Sequence, residues 1–365
     1  MILPNGIPLK RQNCTNPQFL RTKNAIKGIG FEIYIFFCKF AKKFIDMNKY
    51  VLIISLFICS TSLIAQDWNS PDVQYEQGIK YANEQNYNTS FVWFQRAAKQ
   101  GHVKSQYAIG VLYENGAGIK QDLQLAHYWY NKAAESGNSD AMLALCTCYE
   151  EGIGVEKDFN KAISYCQKAA EQNNYQAQNH LGWMYEIGRG TSKDYSKALY
   201  WYKKSADHGN SVALDNLGLC YQYGRGVSIN TSIAVNYYKQ AAELGLARAQ
   251  YHLGQCYFYG NGIASNNAKA FECYLKSANQ GFADAQCSVG YCYDKGYGVQ
   301  QNLQKAVMWY EKSAAQNNEV AQYNLGVCYE HGRGTSKNYE KAKYWYRKAS
   351  DNGYSKARDA LWNLE

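Results

Sequence analysis

Downstream of residue 71, apolar and small residues recur at helical spacing in short segments that glycines and polar residues separate. In the segment 177–185, Leu181 and Tyr185 fall on one helical face, and a glycine, Gly182, stands beside Leu181. A glycine inside a helix costs about 1 kcal/mol relative to alanine, unless a neighbouring helix needs the space. The pattern therefore predicts short amphipathic helices, each packed closely against a second helix.

The same residues return every 36 positions along the chain. A Gly-x-Gly pair occurs seven times without insertion or deletion, and a Tyr stands three residues before each pair. The first glycines of these pairs are Gly116, Gly152, Gly188, Gly224, Gly260, Gly296 and Gly332. Seven matches at one period indicate a repeat protein in which each repeat is a helical hairpin.

Each repeat also carries the start and stop signals of a second helix. An Asp or Asn stands four residues after each Gly-x-Gly pair, and such side chains accept hydrogen bonds from the free amides of a helix start. These residues are Asp122, Asp158, Asp194, Asn230, Asn266, Asn302 and Asn338. Fifteen residues later comes Gly or Asn, the two residue types that adopt a left-handed C′ conformation with little strain. These are Gly137, Asn173, Gly209, Gly245, Gly281, Asn317 and Gly353.

The repeat array covers about residues 72–365. A shorter first repeat, 72–102, lacks the Gly-x-Gly pair, and seven full repeats follow over 103–354. Residues 355–365 restart a first helix that has no second helix after it. We expect both end segments to cap the array, since the ends of a solenoid face water.

The segment 47–65 has the features of an export signal. Lys49 precedes an apolar run, and Ala65 precedes the polar Gln66, which is the order typical of a secretory signal peptide. The run is shorter than the roughly 20 apolar residues that cross a bilayer, although a retained anchor stays an alternative. We therefore expect cleavage after Ala65 and a periplasmic or secreted protein that is not an integral membrane protein. Residues 1–46 are either an unstructured leader or translation from a start codon assigned too far upstream.

The net charge of +9 belongs mostly to the N-terminal segment. Of 39 basic and 30 acidic residues, nine basic and two acidic ones lie within residues 1–50, which leaves 30 basic against 28 acidic residues. The repeats are therefore nearly neutral. A nucleic-acid partner is not expected, because phosphate binding needs a basic footprint.

The repeat frame resembles a known family. The order A-x-x-x-L-G-x-x-Y-x-x-G-x-G, followed by D/N, A, W-Y and K-A-A, is similar to the Sel-one-like repeat, a relative of the tetratricopeptide repeat. The residues that carry it in one repeat are Leu181, Gly182, Tyr185, Gly188, Gly190, Asp194, Ala198, Trp201, Tyr202 and Ala206. The resemblance implies an all-α fold, a right-handed α/α superhelical solenoid of 36-residue hairpins. It also implies an adaptor that binds a protein or peptide in a concave groove, usually without catalysis or a cofactor.

The cysteines predict buried thiols. Five of them share one repeat position, at which other repeats have Leu112 and Met184: Cys148, Cys220, Cys256, Cys292 and Cys328. Equivalent residues of stacked repeats lie about 10 Å apart, beyond the roughly 7 Å that a disulfide allows. We expect a ladder of free thiols, although pairing of some cysteines stays open. No metal site is expected, since the sequence has no Cys-x-x-Cys.

An enzyme is the rival hypothesis, because certain cysteine-rich bacterial relatives have been described as penicillin-binding hydrolases. The chain contains no Ser-x-x-Lys, Gly-x-Ser-x-Gly or His-Glu-x-x-His motif. We therefore predict no catalytic residues. An envelope carbohydrate-binding or penicillin-binding protein of the same family stays the alternative.

The residues around the mid-helix glycine vary between repeats while the frame stays fixed. By analogy with tetratricopeptide arrays, these positions face the groove, and Tyr, Trp, His and Asn are typical of contact surfaces. The predicted partner-binding residues are Tyr107, His180, Trp183, Asn216, Tyr251, His252, Gln255, Tyr291 and Tyr323. The alternative is that many of these aromatic side chains pack between adjacent first helices.

Overall fold

The structure, a computed structural model, describes residues 68–364 and two short strands near the N terminus. The strands, β1 (Ile2–Leu3) and β2 (Ile7–Pro8), pair antiparallel. The predicted signal peptide, 47–65, lies outside the described residues, as does the predicted leader apart from these two strands.

Residues 68–364 contain seventeen helices. In chain order they are α1 (Pro71–Asn83), α2 (Tyr87–Lys99), α3 (Val103–Asn115), α4 (Leu123–Glu135), α5 (Ser139–Glu151), α6 (Phe159–Glu171), α7 (Tyr175–Ile187), α8 (Tyr195–Asp207), α9 (Ser211–Tyr223), α10 (Thr231–Glu243), α11 (Ala247–Tyr259), α12 (Asn267–Asn279), α13 (Ala283–Lys295), α14 (Leu303–Ala314), α15 (Glu319–His331), α16 (Tyr339–Asp351) and α17 (Ser355–Trp362). Odd-numbered helices up to α15 begin the repeats and even-numbered helices complete them. From α5 to α15 the odd-numbered helices start at intervals of 36 residues, which confirms the predicted all-α repeat fold.

The chain divides into two compact units, Met1–Asp158 and Phe159–Glu365. The first contains α1–α5 and the second contains α6–α17. Within each unit every helix packs against the next one in sequence. Most of the predicted binding residues belong to the second unit.

The predicted capping residues fix the helix ends. Six of the predicted N-caps accept a hydrogen bond from the amide three residues later at 2.9–3.0 Å: Asp122, Asp194, Asn230, Asn266, Asn302 and Asn338. All seven predicted C′ residues have positive φ, from +62° at Asn173 to +96° at Gly353. The ends of the second helices are therefore set by local chemistry in the sequence.

Gly182 lies where the paired helix comes closest. A Cβ added to Gly182 would lie 2.7 Å from Cδ1 of Tyr202, a fully buried ring on α8. The same approach of a ring from the paired helix recurs at Gly110 with Tyr130. The mid-helix glycine is therefore required by the packing of a buried tyrosine, as the sequence predicted.

The second glycine of each Gly-x-Gly pair lies against the backbone of the preceding repeat. Gly190 has φ +69°, and an added Cβ would lie 2.2 Å from the carbonyl oxygen of Phe159 at the start of α6. At all seven second glycines an added Cβ would lie within 2.0–2.4 Å of a backbone atom. Repeats therefore stack through main-chain contact at a point where no side chain fits.

Candidate binding face

The predicted binding residues of the second unit lie on α7, α9, α11, α13 and α15. Side chains of neighbouring helices in this set touch one another. Asn216 Nδ2 donates to Asn179 Oδ1 at 3.0 Å, and the Phe258 and Tyr291 rings lie 6.5 Å apart. We call the surface that the side chains of these five helices present the first-helix face.

A hydrogen-bonded polar cluster occupies the part of this face on α7, α9 and α11. Its centre is Asp215, whose side chain is fully buried. One carboxylate oxygen of Asp215 accepts from Arg248 Nε at 2.5 Å, and the other accepts from His252 Nδ1 at 2.8 Å. Arg248 Nη2 also donates to Asn216 Oδ1 at 2.7 Å. The polar cluster thus consists of Asn179, Asp215, Asn216, Arg248 and His252.

The polar cluster orients two predicted contact residues, Asn216 and His252. Because a carboxylate oxygen only accepts hydrogen bonds, Nδ1 of His252 is the donor in this pair and Nε2 is left to face other groups. The His252 side chain is 16% exposed, so part of the ring faces solvent. Polar groups that are held in place before binding lose less conformational entropy when a partner docks.

An aromatic patch lies on α11, on α13 and in the loop that follows α13. It consists of Phe258, Tyr259, Tyr291 and Tyr297. The Phe258 ring centroid lies 5.6 Å from that of Tyr297, and the Tyr291 and Tyr297 centroids are 5.8 Å apart. Tyr259 is 66% exposed, Tyr291 38% and Tyr297 37%. Clustered exposed rings are typical of surfaces that bind a partner.

The aromatic patch takes the place of an ion pair that other junctions between repeats contain. The position of Phe258 is acidic in five other repeats, and in two of them the acidic side chain pairs with an arginine 39 residues later. These pairs are Glu186 with Arg225 and Asp294 with Arg333. Phe258 and Tyr297 stand at the same 39-residue offset. Neither residue is among those predicted from the sequence, although a comparison of the repeats at this offset distinguishes them.

Trp183 forms a further contact point, on α7. Its ring centroid lies 5.2 Å from that of His180 and 4.9 Å from the guanidinium carbon of Arg189. A guanidinium at this distance from an indole ring interacts favourably with the π electrons. Trp183 also packs against the core cluster that contains Leu217. The structure therefore brings Trp183 and His180 together, with the indole half-buried.

Tyr251, Gln255 and Tyr323 have both packing contacts and exposed surface. Gln255 Nε2 donates to the Tyr251 hydroxyl at 2.8 Å, and the Tyr251 ring lies 5.8 Å from that of Tyr274. Burial raises the pKa of Tyr251 above its ordinary value. The Tyr323 ring lies 5.5 Å from that of Tyr346. All three predicted residues are half-buried on the first-helix face.

Tyr107 differs from the other predicted residues because it lies in the core of the first unit. Its side chain is buried, and its ring lies 5.7 Å from that of Tyr130. Burial raises the pKa of the Tyr107 hydroxyl. Tyr107 is therefore a packing residue, as the alternative interpretation states, and little of its side chain is accessible to a partner.

The five cysteines at the shared repeat position are buried free thiols, as predicted. Burial raises the pKa of Cys148, Cys220 and Cys292 to about 12 and that of Cys256 and Cys328 to about 11. Since the thiolate is the reactive form, these side chains behave as small apolar residues at neutral pH.

We expect these five thiols to resist alkylation by iodoacetamide in the folded protein at neutral pH. Their pKa values lie well above neutral pH, so thiolate is scarce, and burial also blocks the reagent. Peptide mass mapping after timed alkylation measures each site, and the protein unfolded in guanidinium chloride is the control. Labelling of Cys148 or Cys220 as fast in the folded chain as in the unfolded one would contradict the assignment.

The architecture defines an α/α repeat protein of the solenoid class. The Sel1 repeat pattern matches eight segments: 75–102, 103–138, 139–174, 176–210, 211–246, 247–282, 283–318 and 320–354. The chain therefore belongs to the Sel1 repeat family, the family that the sequence resembles.

Two solved structures of this kind are similar to the chain. One is c5321, a protective antigen of uropathogenic Escherichia coli strains, which is 34% identical, with a TM-score of 0.68. The match covers 83% of this chain and 66% of c5321. The other is a Sel1 repeat protein from Oxalobacter formigenes, which is 34% identical over 66% of this chain and 96% of its own, with a TM-score of 0.62. No curated protein matches the chain. Within residues 68–364, no helix is long and apolar enough to cross a membrane.

Proposed function

We propose that the protein is an exported scaffold that binds a protein or peptide on its first-helix face. Sel1 repeat proteins generally mediate protein–protein interactions. The observation that carries the proposal is that one helix of this face, α11, contributes side chains to both the polar cluster and the aromatic patch. Export rests on the composition of residues 47–65.

The size of the site suits a short extended peptide. Three successive first helices, α9, α11 and α13, carry most of the polar cluster and the aromatic patch. At about 10 Å per repeat and about 3.3 Å per extended residue, these helices match a peptide of roughly six to nine residues. Arg248, Asn216 and the His252 ring supply polar contacts at one end, and exposed rings supply apolar surface at the other end.

A glycan is the second candidate ligand, and the aromatic patch favours it. Exposed tyrosine rings stack on sugars as readily as they anchor peptide side chains. Tyr259, Tyr291 and Tyr297 form such a surface, and an exported protein meets envelope polysaccharides. The same variants test both ligands, because binding to peptidoglycan sacculi and capture of envelope proteins can be measured separately.

A double variant, Tyr291→Ala with Tyr297→Ala, tests the proposal. Because exposed rings at the centre of an interface commonly contribute 2 kcal/mol or more, we expect capture of envelope proteins to fall about 30-fold. Affinity capture on immobilised protein with quantitative mass spectrometry measures this, and circular dichroism checks the fold.

The matched control is Tyr200→Ala with Tyr344→Ala, which removes two exposed rings from α8 and α16. This control should leave capture and helicity unchanged. Equal capture by both double variants would refute binding at the aromatic patch. Selective loss of sacculus binding, with protein capture unchanged, would identify the glycan as the ligand.

A further inference from the structure

One position on the even-numbered helices holds an aromatic ring in every repeat except the one at 247–282. Seven repeats have Trp or Tyr there: Trp93, Trp129, Tyr165, Trp201, Tyr237, Trp309 and Trp345. The repeat at 247–282 has Cys273 instead, on α12. This repeat therefore lacks one large ring of the common frame.

Tyr237 shows what the ring does in the repeat directly before. Its ring stacks on that of Tyr221, with centroids 5.6 Å apart and planes at 22°. It also packs against the apolar clusters that contain Leu214 and Leu217, together with Ala206. The ring thus fills the space between α8, α9 and α10.

At Cys273 the equivalent space is open. A cavity of about 330 Å³ lies between α10, α11 and α12, and the Cys273 side chain lines it. Each packing partner of Tyr237 has an equivalent 36 residues later in the chain, and these equivalents also line the cavity. These equivalents are Ala242 for Ala206, Gln250 for Leu214, Leu253 for Leu217 and Tyr257 for Tyr221. The cavity, which we call the ring seat, is therefore the space of a missing aromatic side chain.

Charged side chains surround the ring seat. Lys239, Lys269 and Lys276 line it together with Glu243 and Glu272, so positive charge is in excess by one. The ammonium of Lys269 lies 5.6 Å from the Tyr257 ring centroid. An excess of positive charge favours an occupant with a negative charge next to its ring.

We propose that the ring seat binds an aromatic side chain of a partner polypeptide that has acidic residues on either side of it. The incoming ring takes the position of the missing frame ring and stacks on Tyr257, between Leu253 and Ala242. Its acidic neighbours face the three lysines. No residue of the polar cluster or the aromatic patch lines the ring seat. It is thus a second contact site, beyond the one proposed on the first-helix face.

Cys273 supplies a direct readout of occupancy. Its thiol is half-buried, whereas the thiols of the ladder are buried. Burial raises the pKa of Cys273, and the nearby Lys276 opposes this shift. At mildly alkaline pH, iodoacetamide should therefore reach Cys273 before the ladder cysteines, and a bound ring should shield it.

The test uses the full chain and three capped tripeptides: Asp-Trp-Asp, Lys-Trp-Lys and Asp-Ala-Asp. At about 5 mM, Asp-Trp-Asp should slow alkylation of Cys273 about fivefold, as peptide mass mapping measures. Lys-Trp-Lys should protect less, and Asp-Ala-Asp should not protect. Equal protection of Cys273 by Asp-Trp-Asp and Lys-Trp-Lys would overturn the preference for acidic neighbours. No protection by either of them would overturn the site.

Variants at Cys273 complete the test through isothermal titration of Asp-Trp-Asp. Cys273→Trp restores the frame ring and should abolish binding, whereas Cys273→Ala keeps the seat open and should retain it. Circular dichroism checks that both variants fold. Binding to Cys273→Trp as tight as to the unmodified chain would refute the proposal. The Tyr291→Ala, Tyr297→Ala variant should bind Asp-Trp-Asp normally, so failure of either site is distinguishable from failure of the other.

Discussion

Replacement of Gly190 by alanine is expected to lower the free energy of unfolding by about 3 kcal/mol or more. The left-handed backbone conformation of Gly190 costs an alanine about 1–2 kcal/mol. The added Cβ would also lie 2.2 Å from the carbonyl oxygen of Phe159, and backbone atoms relieve such a clash only by shifting the repeat. Overpacking of this kind costs about 1–3 kcal/mol in addition. Urea unfolding followed by circular dichroism measures the change.

Gly209→Ala is the matched control for this substitution. Gly209 has φ +76°, close to the value at Gly190, but an added Cβ there would meet no atom within 4 Å. This variant should therefore lose only about 1–2 kcal/mol, the cost of the conformation alone. If both variants lost the same free energy, the close approach between repeats would contribute nothing to the requirement for glycine.

The second large effect is expected for Asp215→Asn at the centre of the polar cluster. The amide oxygen can accept from only one of the two groups that now bind the carboxylate, and the negative charge that faces the Arg248 guanidinium is lost. Loss of one member of a buried charge pair typically costs about 3–5 kcal/mol. Arg248 is 39% exposed and can turn towards water, so we expect about 2–3 kcal/mol from thermal or urea unfolding.

Asp207→Asn, on the exposed side of α8, makes the same chemical change without burial. It should alter the unfolding free energy by less than about 0.5 kcal/mol. A cost at Asp215 no larger than the cost at Asp207 would mean that the buried carboxylate is dispensable for stability.

The fold could be predicted from the sequence because its signals are local and repeated seven times. Asp194 caps α8 through its own side chain, and Asn173 ends α6 through its own left-handed backbone. One inference was long-range, namely that a second helix lies close to Gly182. It needed only the 36-residue period of the sequence and the free-energy cost of a glycine inside a helix. In a repeat protein, neighbours in space are also neighbours in sequence, so periodicity carries much of the tertiary information.

The candidate site could be predicted only in part. The variable positions identified the helix face, but burial at a single position depends on which side chains the adjacent repeats supply. Tyr107 shows this, because the ring of Tyr130 and the rest of the first core enclose it. Asp215 was missed for a related reason: its role arises from Arg248 and His252, two side chains of the next repeat.

The main-chain contact at each second glycine makes the repeats interchangeable units. Because backbone atoms set the spacing, a change of side chains on one helix face need not disturb the joint between two repeats. Such a protein can gain or lose a 36-residue repeat while the main-chain contacts between the remaining repeats stay intact. Phe258 with Tyr297, in the place of an acid with an arginine, shows that the surface over a joint can change from charged to aromatic while the spacing persists. The array can thus acquire new binding surfaces by duplication and local substitution, without a redesign of its core.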